Sequence, residues 1–363
     1  MKKESSVFHL IVNTAFIGIL LSFSIFYLTT MLIGTDSATA PACYDGSVIE
    51  GENPGSSFRR AVYQNKTTLD FIREYQYHLF GIADQNSVVM GENDFLFELR
   101  DTANGYDYLD DYTGNHAFTE QELAAILAEL QARRDFCAQN NAEYLLVVIP
   151  NSQTVYSEYM PSYLGNISTN TRLNGLKNYL EQNNFYDCLD LSGYFRYAKQ
   201  GGLLYNTTEN SLSALGVYHA YRSVCERIAN NMTANISPIP RNQLLFYQHV
   251  TKGRSTAQKA GVADFVDNHT VSLANNTLKN YSIAVNSGLY TTTQKNGCDE
   301  TAGLLLQFSN ASSRALSEIF FSNTVPRVTY QSRLSLTNET FRLCSPQVVV
   351  QFISEYELSA LIP

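Results

Sequence analysis

The fold is decided by residues 304–316, which read Leu-Leu-Leu-Gln-Phe-Ser-Asn-Ala-Ser-Ser-Arg-Ala-Leu. An apolar run of strand length is broken by a cluster of small polar residues. The chain then continues with Leu316, Ile319 and Phe320 at helical spacing. This pattern predicts a strand, a tight turn and a helix. In an α/β protein such a turn lies at the carboxyl end of a strand and the amino end of a helix, where free backbone N–H groups and the helix dipole can hold an anion.

Alternating helix and strand patterns extend this prediction along the chain. Thr119 and Glu122 form a capping box, from which a helix is expected to run to about Asn140. The apolar run 144–149 follows, and it is typical of a strand in a parallel sheet that is covered on both faces. Further predicted elements are a hairpin over 87–97, helices over 68–80 and 171–183, and strands over 186–191, 327–330 and 347–353. This order, with short connections, favours a parallel α/β sheet.

The amino-terminal region predicts a membrane anchor. Val7 to Ile33 is nearly continuously apolar and long enough to span a bilayer. Lys2 and Lys3 precede it, so the amino terminus is expected in the cytoplasm and the remainder outside the cell membrane. A cleaved signal peptide that ends at Ala40 is the alternative, although Pro41 would then follow the cut. The predicted division is a cytoplasmic stub over 1–6, a transmembrane signal-anchor over 7–33, a linker over 34–60 and one domain over 61–363, with a possible insertion over 236–290.

Composition narrows the class of protein. The chain has 363 residues and a formal net charge of −9, with 44% hydrophobic and 16% charged residues. This composition is globular and long enough for one large domain. The acidic balance and the lack of a basic patch with interleaved aromatic residues argue against a nucleic-acid partner.

The six cysteines give a limited prediction about disulfides. Outside the cell disulfides are permitted, and no C-x-x-C pair suggests zinc. Cys137 and Cys225 lie within helical patterns and are expected to be small buried apolar side chains. Cys298 and Cys344 are the favoured bridge partners.

Neither a metal site nor another cofactor is predicted. Asp107, Asp110 and Asp111 could attract calcium as a cluster, but their spacing does not match that of an EF-hand loop. The segment is therefore predicted to be a solvated loop flanked by tyrosines.

Several blocks resemble one family. The strand–turn–helix of residues 304–316 resembles the Gly-Asp-Ser-Phe block of SGNH-hydrolase-like proteins of the alginate O-acetyltransferase (DHHW) type. Residues 88–97 resemble the family's Val-x-Gly-Lys-Asp-Gly-Trp-Leu-Phe block, with Asp94 in place of the turn glycine and Phe95 in place of the tryptophan. Residues 348–358 resemble its closing strand. The resemblance implies a three-layer α/β/α fold with a mainly parallel central sheet, and a setting in the O-acetylation of a surface polysaccharide.

The resemblance also implies where the family's catalytic residues would lie. The residues at those positions in this sequence lack the side-chain groups that the reaction needs. Counted back from Ala315, the family's glycine falls on Ser309, its aspartate on Asn310 and its nucleophilic serine on Ala311. An alanine cannot act as a nucleophile. Aligned on Gly216, the family's Asp-x-His-Trp block falls on residues 209–212, so that Glu209 takes the aspartate position, Ser211 the histidine position and Leu212 the tryptophan position. A serine hydroxyl is too weakly basic to replace a histidine as a base.

Three substitutions at independently anchored positions indicate a degenerate site on a retained fold. The alternative is a displaced nucleophile, for which Ser312 is the candidate, and it would still need a base to take its proton. His219, His116 and Glu209 are the candidates for that base, and a helix-surface or capping role is the simpler interpretation of His219.

Three functions remain open at this point. The first is a membrane-anchored, extracytoplasmic pseudoenzyme that binds a cell-surface polysaccharide or assists a membrane acyltransferase. The second is an active O-acyltransferase or esterase that uses Ser312. The third is a structural envelope protein.

Overall fold

The computed structural model describes residues 87–101, 105–234, 236–274, 281–286, 289–294, 303–309 and 314–363. The predicted helix over 68–80, the stub, anchor and linker of residues 1–60, and Cys43 and Cys298 lie outside the described residues. So do three of the predicted site positions, Asn310, Ala311 and Ser312. Among the helices that are described, none is both long and apolar enough to cross a membrane.

Strands and helices are numbered along the described chain. The strands are β1 Val88–Met90, β2 Leu96–Glu98, β3 Arg100–Asp101, β4 Tyr106–Asp107, β5 Glu143–Ile149, β6 Cys188–Asp190, β7 Leu245–Lys252, β8 Asp267–Ala274, β9 Tyr281–Asn286, β10 Leu289–Gln294, β11 Gly303–Phe308, β12 Arg327–Gln331 and β13 Val348–Ser354. The α-helices are α1 Tyr108–Thr113, α2 Glu120–Gln139, α3 Ser152–Val155, α4 Arg172–Gln182, α5 Ser192–Ala198, α6 Ala214–Asn231, α7 Ser255–Lys259, α8 Arg314–Thr324 and α9 Asn338–Cys344. A 3₁₀ helix over Glu355–Leu361 follows β13.

The central sheet confirms the predicted parallel arrangement. Its strand order is β6-β5-β13-β11-β12-β10-β9, a seven-stranded sheet. The pairs from β6 to β12 are all parallel, whereas β10 pairs antiparallel with both β12 and β9. The carboxyl ends of β5, β13 and β11 therefore lie side by side, and we call this end of the sheet its carboxyl edge.

Helices cover both faces of this sheet. On β5, Leu145 and Val147 face a core built with α3, α5, α6 and α8. The intervening Leu146 and Val148 face a second core built with α2, α4 and α9. Both sets are fully buried, which is why these strands read as continuous apolar runs instead of alternating ones.

Local signals explain the elements that flank the sheet. Thr119 and Glu122 make the predicted reciprocal capping contacts at the start of α2. β1 and β2 form the predicted antiparallel hairpin. Its turn places Asn93 and Asp94 at φ 54 and 63, so Asp94 occupies a left-handed conformation at the position where the related block has glycine.

Two expectations are wrong. Asp107 to Asp111 is not a solvated loop: Asp107 caps α1, and Asp111 is 3% exposed, where both of its oxygens accept hydrogen bonds from Arg172 at 2.5 Å. Burial of a carboxylate requires such a partner. Cys344 is not a bridge partner either: it is a free, buried thiol that donates to the Thr340 carbonyl at 2.9 Å. Cys137 and Cys225 are free and buried, as predicted.

The segment of weak periodicity contains strands that the sequence did not indicate. β7 and β8 form a separate antiparallel two-stranded sheet, joined through α7. β9 then returns to the central sheet as its edge strand. At the opposite edge, β6 is shorter than predicted, because Tyr186 is 59% exposed and lies outside the strand.

Candidate functional site

Polar residues gather where the central parallel strands end. We call them the carboxyl-edge cluster and define it as Tyr106, Tyr108, Asn151, Ser152, Asn210, Ser309, Glu355, Tyr356 and Glu357. The cluster lies beyond the carboxyl ends of parallel strands, which is where α/β proteins bind ligands. It is therefore the candidate functional site.

Ser309 is held at the end of β11 by two contacts. Its hydroxyl donates a short hydrogen bond to Glu357 Oε2. Its backbone N–H donates to the Phe352 carbonyl at 3.1 Å, which extends the β11–β13 pairing by one residue. Glu357 is 7% exposed and also completes a capping box with Ser354. Ser309 is thus a serine paired directly with a buried carboxylate.

Glu355 lies deeper in the same cluster. It is 1% exposed, and its Oε2 accepts hydrogen bonds from the Asn151 backbone N–H at 2.6 Å and from Thr154 Oγ1 at 2.7 Å. Burial raises the pKa of Glu355 to about 7, although these two donors oppose the shift. The carboxyl group therefore titrates near neutral pH.

Three tyrosines connect Ser309 with the loop at residues 205–212. Tyr106 donates to Glu357 Oε1 at 3.5 Å, and the ring of Tyr356 packs against those of Tyr106 and Tyr108 at centroid distances of 4.8 and 5.0 Å. Tyr108 hydrogen-bonds to Asn210. Burial, followed by the nearby Glu98 carboxylate, raises the pKa of Tyr108, so the phenol stays protonated and can donate.

Asn210 then closes the connection to β5. Its Oδ1 accepts a hydrogen bond from Ser152 Oγ at 3.4 Å. Beside it, Asn151 Oδ1 is buried without a hydrogen-bond partner. The structure therefore brings Ser309 and the 205–212 loop into one connected set of polar and aromatic side chains.

Glu209 and Ser211 lie in this loop but bond within it. Ser211 Oγ accepts from Asn206 Nδ2 at 2.7 Å, and the Ser211 N–H donates to the Glu209 carbonyl at 2.7 Å. Asn206 Nδ2 also approaches Glu209 Oε2 at 3.4 Å. Position 211, where the resemblance expects a histidine, thus holds a hydroxyl that is engaged with an amide of its own loop.

The described histidines make their side-chain hydrogen bonds and ion pairs away from Ser309 and Glu357. His219 packs between α5 and α6, and its Nδ1 lies 2.8 Å from the Tyr194 hydroxyl. Burial, together with Arg222 and Arg241, lowers the pKa of His219 to about 4, so it is neutral at physiological pH. His116 is exposed beside Asp110, and His269 pairs with Asp94. Neither these three nor His249 hydrogen-bonds or ion-pairs with Ser309, Glu355, Glu357 or Asn210 within the described chain. Among the described residues no group of three or more His, Cys, Asp or Glu could hold a metal ion.

No protein-family model and no curated protein matches this sequence. Solved structures do. PatB1 of Bacillus cereus matches with a TM-score of 0.52 at 11% identity, over 75% of this chain and 96% of that one. This chain has the fold of PatB1. The match agrees with the α/β fold that the resemblance implied.

Further solved structures resemble the chain more loosely. The O-acetyltransferase domain of Pseudomonas putida AlgJ matches with a TM-score of 0.47 at 17% identity, over 75% of this chain and 92% of that one. A DHHW family protein from Eubacterium siraeum matches with a TM-score of 0.48 at 12% identity, over 66% and 88%.

Sequence reasoning missed most members of the cluster. It singled out Ser309, but not Glu355, Glu357 or the tyrosines around them. The available signal was positional: Asn151, Glu355 and Glu357 lie within three residues of the ends of strands that were predicted correctly. Polar residues at the carboxyl ends of neighbouring parallel strands are the ones expected to meet.

Proposed function

We propose that this chain is a catalytically degenerate relative of SGNH-type acyltransferases that binds a cell-surface glycan, either alone or as an accessory to an acyl-transfer enzyme. The fold of PatB1 supports the kinship. The family resemblance, in which position 311 is alanine and position 211 serine, supports the loss of the catalytic residues.

The single observation that carries the proposal is the hydrogen bonding of Ser211. A working site needs a base at this position to take the proton of the nucleophile. The Ser211 hydroxyl instead accepts from Asn206, and the imidazole of His219 is hydrogen-bonded to Tyr194. Loss of the base and loss of the nucleophile agree, although they are located by separate parts of the chain.

The remaining surface suits a sugar. Tyr106 and Tyr356 lie half-buried beside the Ser309–Glu357 pair. Aromatic rings that are partly exposed beside hydrogen-bonding groups are suited to pack on the apolar face of a sugar while its hydroxyls bond to the polar groups.

Binding can be tested directly. We would titrate the purified full-length chain with alginate oligosaccharides and with a panel of neutral and acidic oligosaccharides by calorimetry. Saturable binding that weakens about tenfold or more in Tyr106→Ala and Tyr356→Ala would support the proposal. Tyr197→Ala is the matched control, because Tyr197 is 74% exposed on α5, outside the cluster. Binding that all three variants retain would place the glycan elsewhere, and absence of both glycan binding and serine-dependent acyl chemistry would leave a structural envelope role.

One contact favours a second candidate, an acyltransferase with a displaced nucleophile. The sequence suggested Ser312, but the structure supports Ser309, since its hydroxyl already donates to Glu357. In that reaction Ser309 Oγ would attack the carbonyl carbon of an acetyl ester and pass its proton to Glu357. The bond to the alcohol would break, and Glu357 would return the proton to the departing alkoxide, leaving acetyl-Ser309.

Intact-mass measurement separates the two candidates. The full-length chain would be incubated with an activated acetyl ester, beside Ser309→Ala, Ser312→Ala, Ser313→Ala and Glu357→Gln. We expect no adduct and no turnover above buffer. An adduct that is lost in one serine variant alone would overturn the degenerate reading and identify the nucleophile. Loss in Glu357→Gln as well would identify the base.

The membrane setting is part of the proposal. The apolar segment Val7–Ile33 is proposed to remain as an anchor, with residues 61–363 outside the cytoplasmic membrane. The chain should then stay in the membrane fraction after alkaline extraction and be cleaved by protease added to intact cells. A mature protein that begins at Pro41 would show instead that the segment is a cleaved signal peptide.

A further inference from the structure

β9 is the last strand at one side of the central sheet. β9 pairs with β10 on one side, and no described strand pairs with its other side. Of its residues, Ser282 to Asn286 are all exposed, and Tyr281 alone is buried. A free strand edge presents backbone donors and acceptors that can pair with another chain.

Within β9 and β10 themselves, the features that usually protect an open edge are missing. Soluble proteins blunt open edges with charges, prolines, bulges or very short strands. Neither β9 nor β10 contains a charged residue or a proline, and their pairing runs without a bulge from Leu289–Asn286 to Gln294–Tyr281. Two β-branched side chains instead stand in solvent on one face, Ile283 at 54% and Val285 at 71% exposure.

Charge argues for a second copy of the same chain as the occupant. Two copies that each carry −9 repel each other over most approaches. The β9–β10 ribbon is uncharged, so it is a stretch of sheet where two copies can meet without placing like charges opposite each other. A two-fold axis also needs a self-complementary patch, and a single antiparallel strand pair supplies one.

We propose that two copies of this chain associate through antiparallel pairing of β9 with β9, joining their central sheets. A two-fold axis perpendicular to the sheet requires that directly opposite residues belong to the same face. Centring the axis on Ala284 places Ile283 opposite Val285 of the second copy, and this contact occurs twice. Cross-strand pairs of β-branched residues stabilise such a ribbon. The proposal is independent of the function of the carboxyl-edge cluster.

Light scattering on the full-length chain in detergent tests the association. The wild type is expected to be a dimer when the protein concentration is raised to about 100 µM. Val285→Lys places a charge on each side of the shared edge and is expected to raise the dissociation constant about tenfold or more. Leu245→Lys is the matched control, because Leu245 is an equally exposed strand residue (68%) on β7 and should leave the dimer unchanged.

Cross-linking tests the register. Ala284→Cys should form a disulfide-linked dimer under mild oxidation, because it lies on the axis beside its own copy. Asn338→Cys, exposed at the start of α9, should not. A monomeric wild type would overturn the proposal, as would a dimer that survives Val285→Lys. A dimer that dissociates in Val285→Lys but does not cross-link through Ala284→Cys would overturn the register and leave another protein's strand, or another pairing, as the occupant.

Discussion

Glu355 is the buried carboxyl group on which the pH dependence of stability should depend most. Desolvation at 1% exposure raises its pKa from an ordinary value of 4.5 to about 7, and the nearby Asp111 and Asp190 add to the shift. A raised folded-state pKa means that the folded protein holds this proton more tightly than the unfolded chain does. The contribution of this tighter proton binding to the free energy of unfolding is therefore fully present below pH 4.5, and it is lost as the pH rises through about 7.

Replacing this carboxyl group should remove that pH dependence. In the wild type the free energy of unfolding is expected to fall by up to about 3 kcal/mol between about pH 5 and pH 8 from this group alone. Glu355→Gln should flatten the profile, because the amide keeps the polar contacts and does not ionise. Urea unfolding across this pH range measures it. Glu339→Gln, exposed on α9, is the control, and an equal slope in both variants would contradict the assignment.

Position 216 requires a glycine because two backbone segments approach each other closely there. It lies in the first turn of α6, and a Cβ there would overlap the carbonyl of Leu204. Gly216→Ala should therefore destabilise the protein by about 2 kcal/mol or more, despite the better helix propensity of alanine. Gly175 in α4 has open space around it, so Gly175→Ala should stabilise by up to about 1 kcal/mol. Thermal unfolding of both variants tests this, and a neutral Gly216→Ala would show that the loop can shift.

At the scale of elements, a buried glutamine ladder ties three parallel strands together. Gln351 Nε2 on β13 donates to Gln307 on β11, and Gln307 Nε2 donates to Gln331 on β12, both at 2.6 Å. Gln351 Oε1 also accepts from Tyr144 at 2.7 Å and from Arg133 at 3.0 Å. Because a shifted register would leave these amides unpaired, the ladder favours the observed alignment of strands.

Replacing one glutamine of the ladder should destabilise the protein. Gln351→Leu removes the acceptor of Tyr144 and Arg133 and leaves the side-chain carbonyl of Gln307 without its donor. It is expected to lower the free energy of unfolding by about 2–4 kcal/mol. Gln182→Leu, exposed at the end of α4, should change stability by less than about 0.5 kcal/mol. The comparison is made by denaturant unfolding. A near-neutral Gln351→Leu would mean that the ladder is dispensable in this sheet.

At the scale of the whole molecule, the two cores share one sheet. Leu145 and Leu146 are neighbours on β5, yet they belong to the cores on opposite faces. Neither core can lose its packing while the sheet remains intact, so the described domain should unfold cooperatively.

Truncation on each face tests that coupling. Leu145→Ala and Leu146→Ala should each lower stability by about 2–5 kcal/mol. Both should shift the same single transition, followed by far-ultraviolet circular dichroism and by tyrosine fluorescence, since the chain has no tryptophan. Two separated transitions in either variant would show that the faces unfold independently.

Most of the central sheet could be predicted because its signals are local. Continuous apolar runs identified β5, β11 and β13, and the capping box fixed the start of α2 within one residue. β7 and β9 escaped prediction because both are mostly exposed, so neither carries the apolar run or the clear alternation that identifies a strand. The Asp107–Asp111 segment was misjudged because the partner that allows Asp111 to be buried, Arg172, lies far along the chain.

The sequence by itself determined the fold class, and it places Ala311 and Ser211 where the resemblance expects the nucleophile and the base. Only the tertiary structure decided which side chains meet at the carboxyl edge. Ser309 and Glu357 are 48 residues apart and become neighbours because β11 and β13 lie in parallel and end together. Protonation also belongs to the tertiary structure: the pKa of Glu355 depends on the water that the surrounding chain excludes, which no local pattern records.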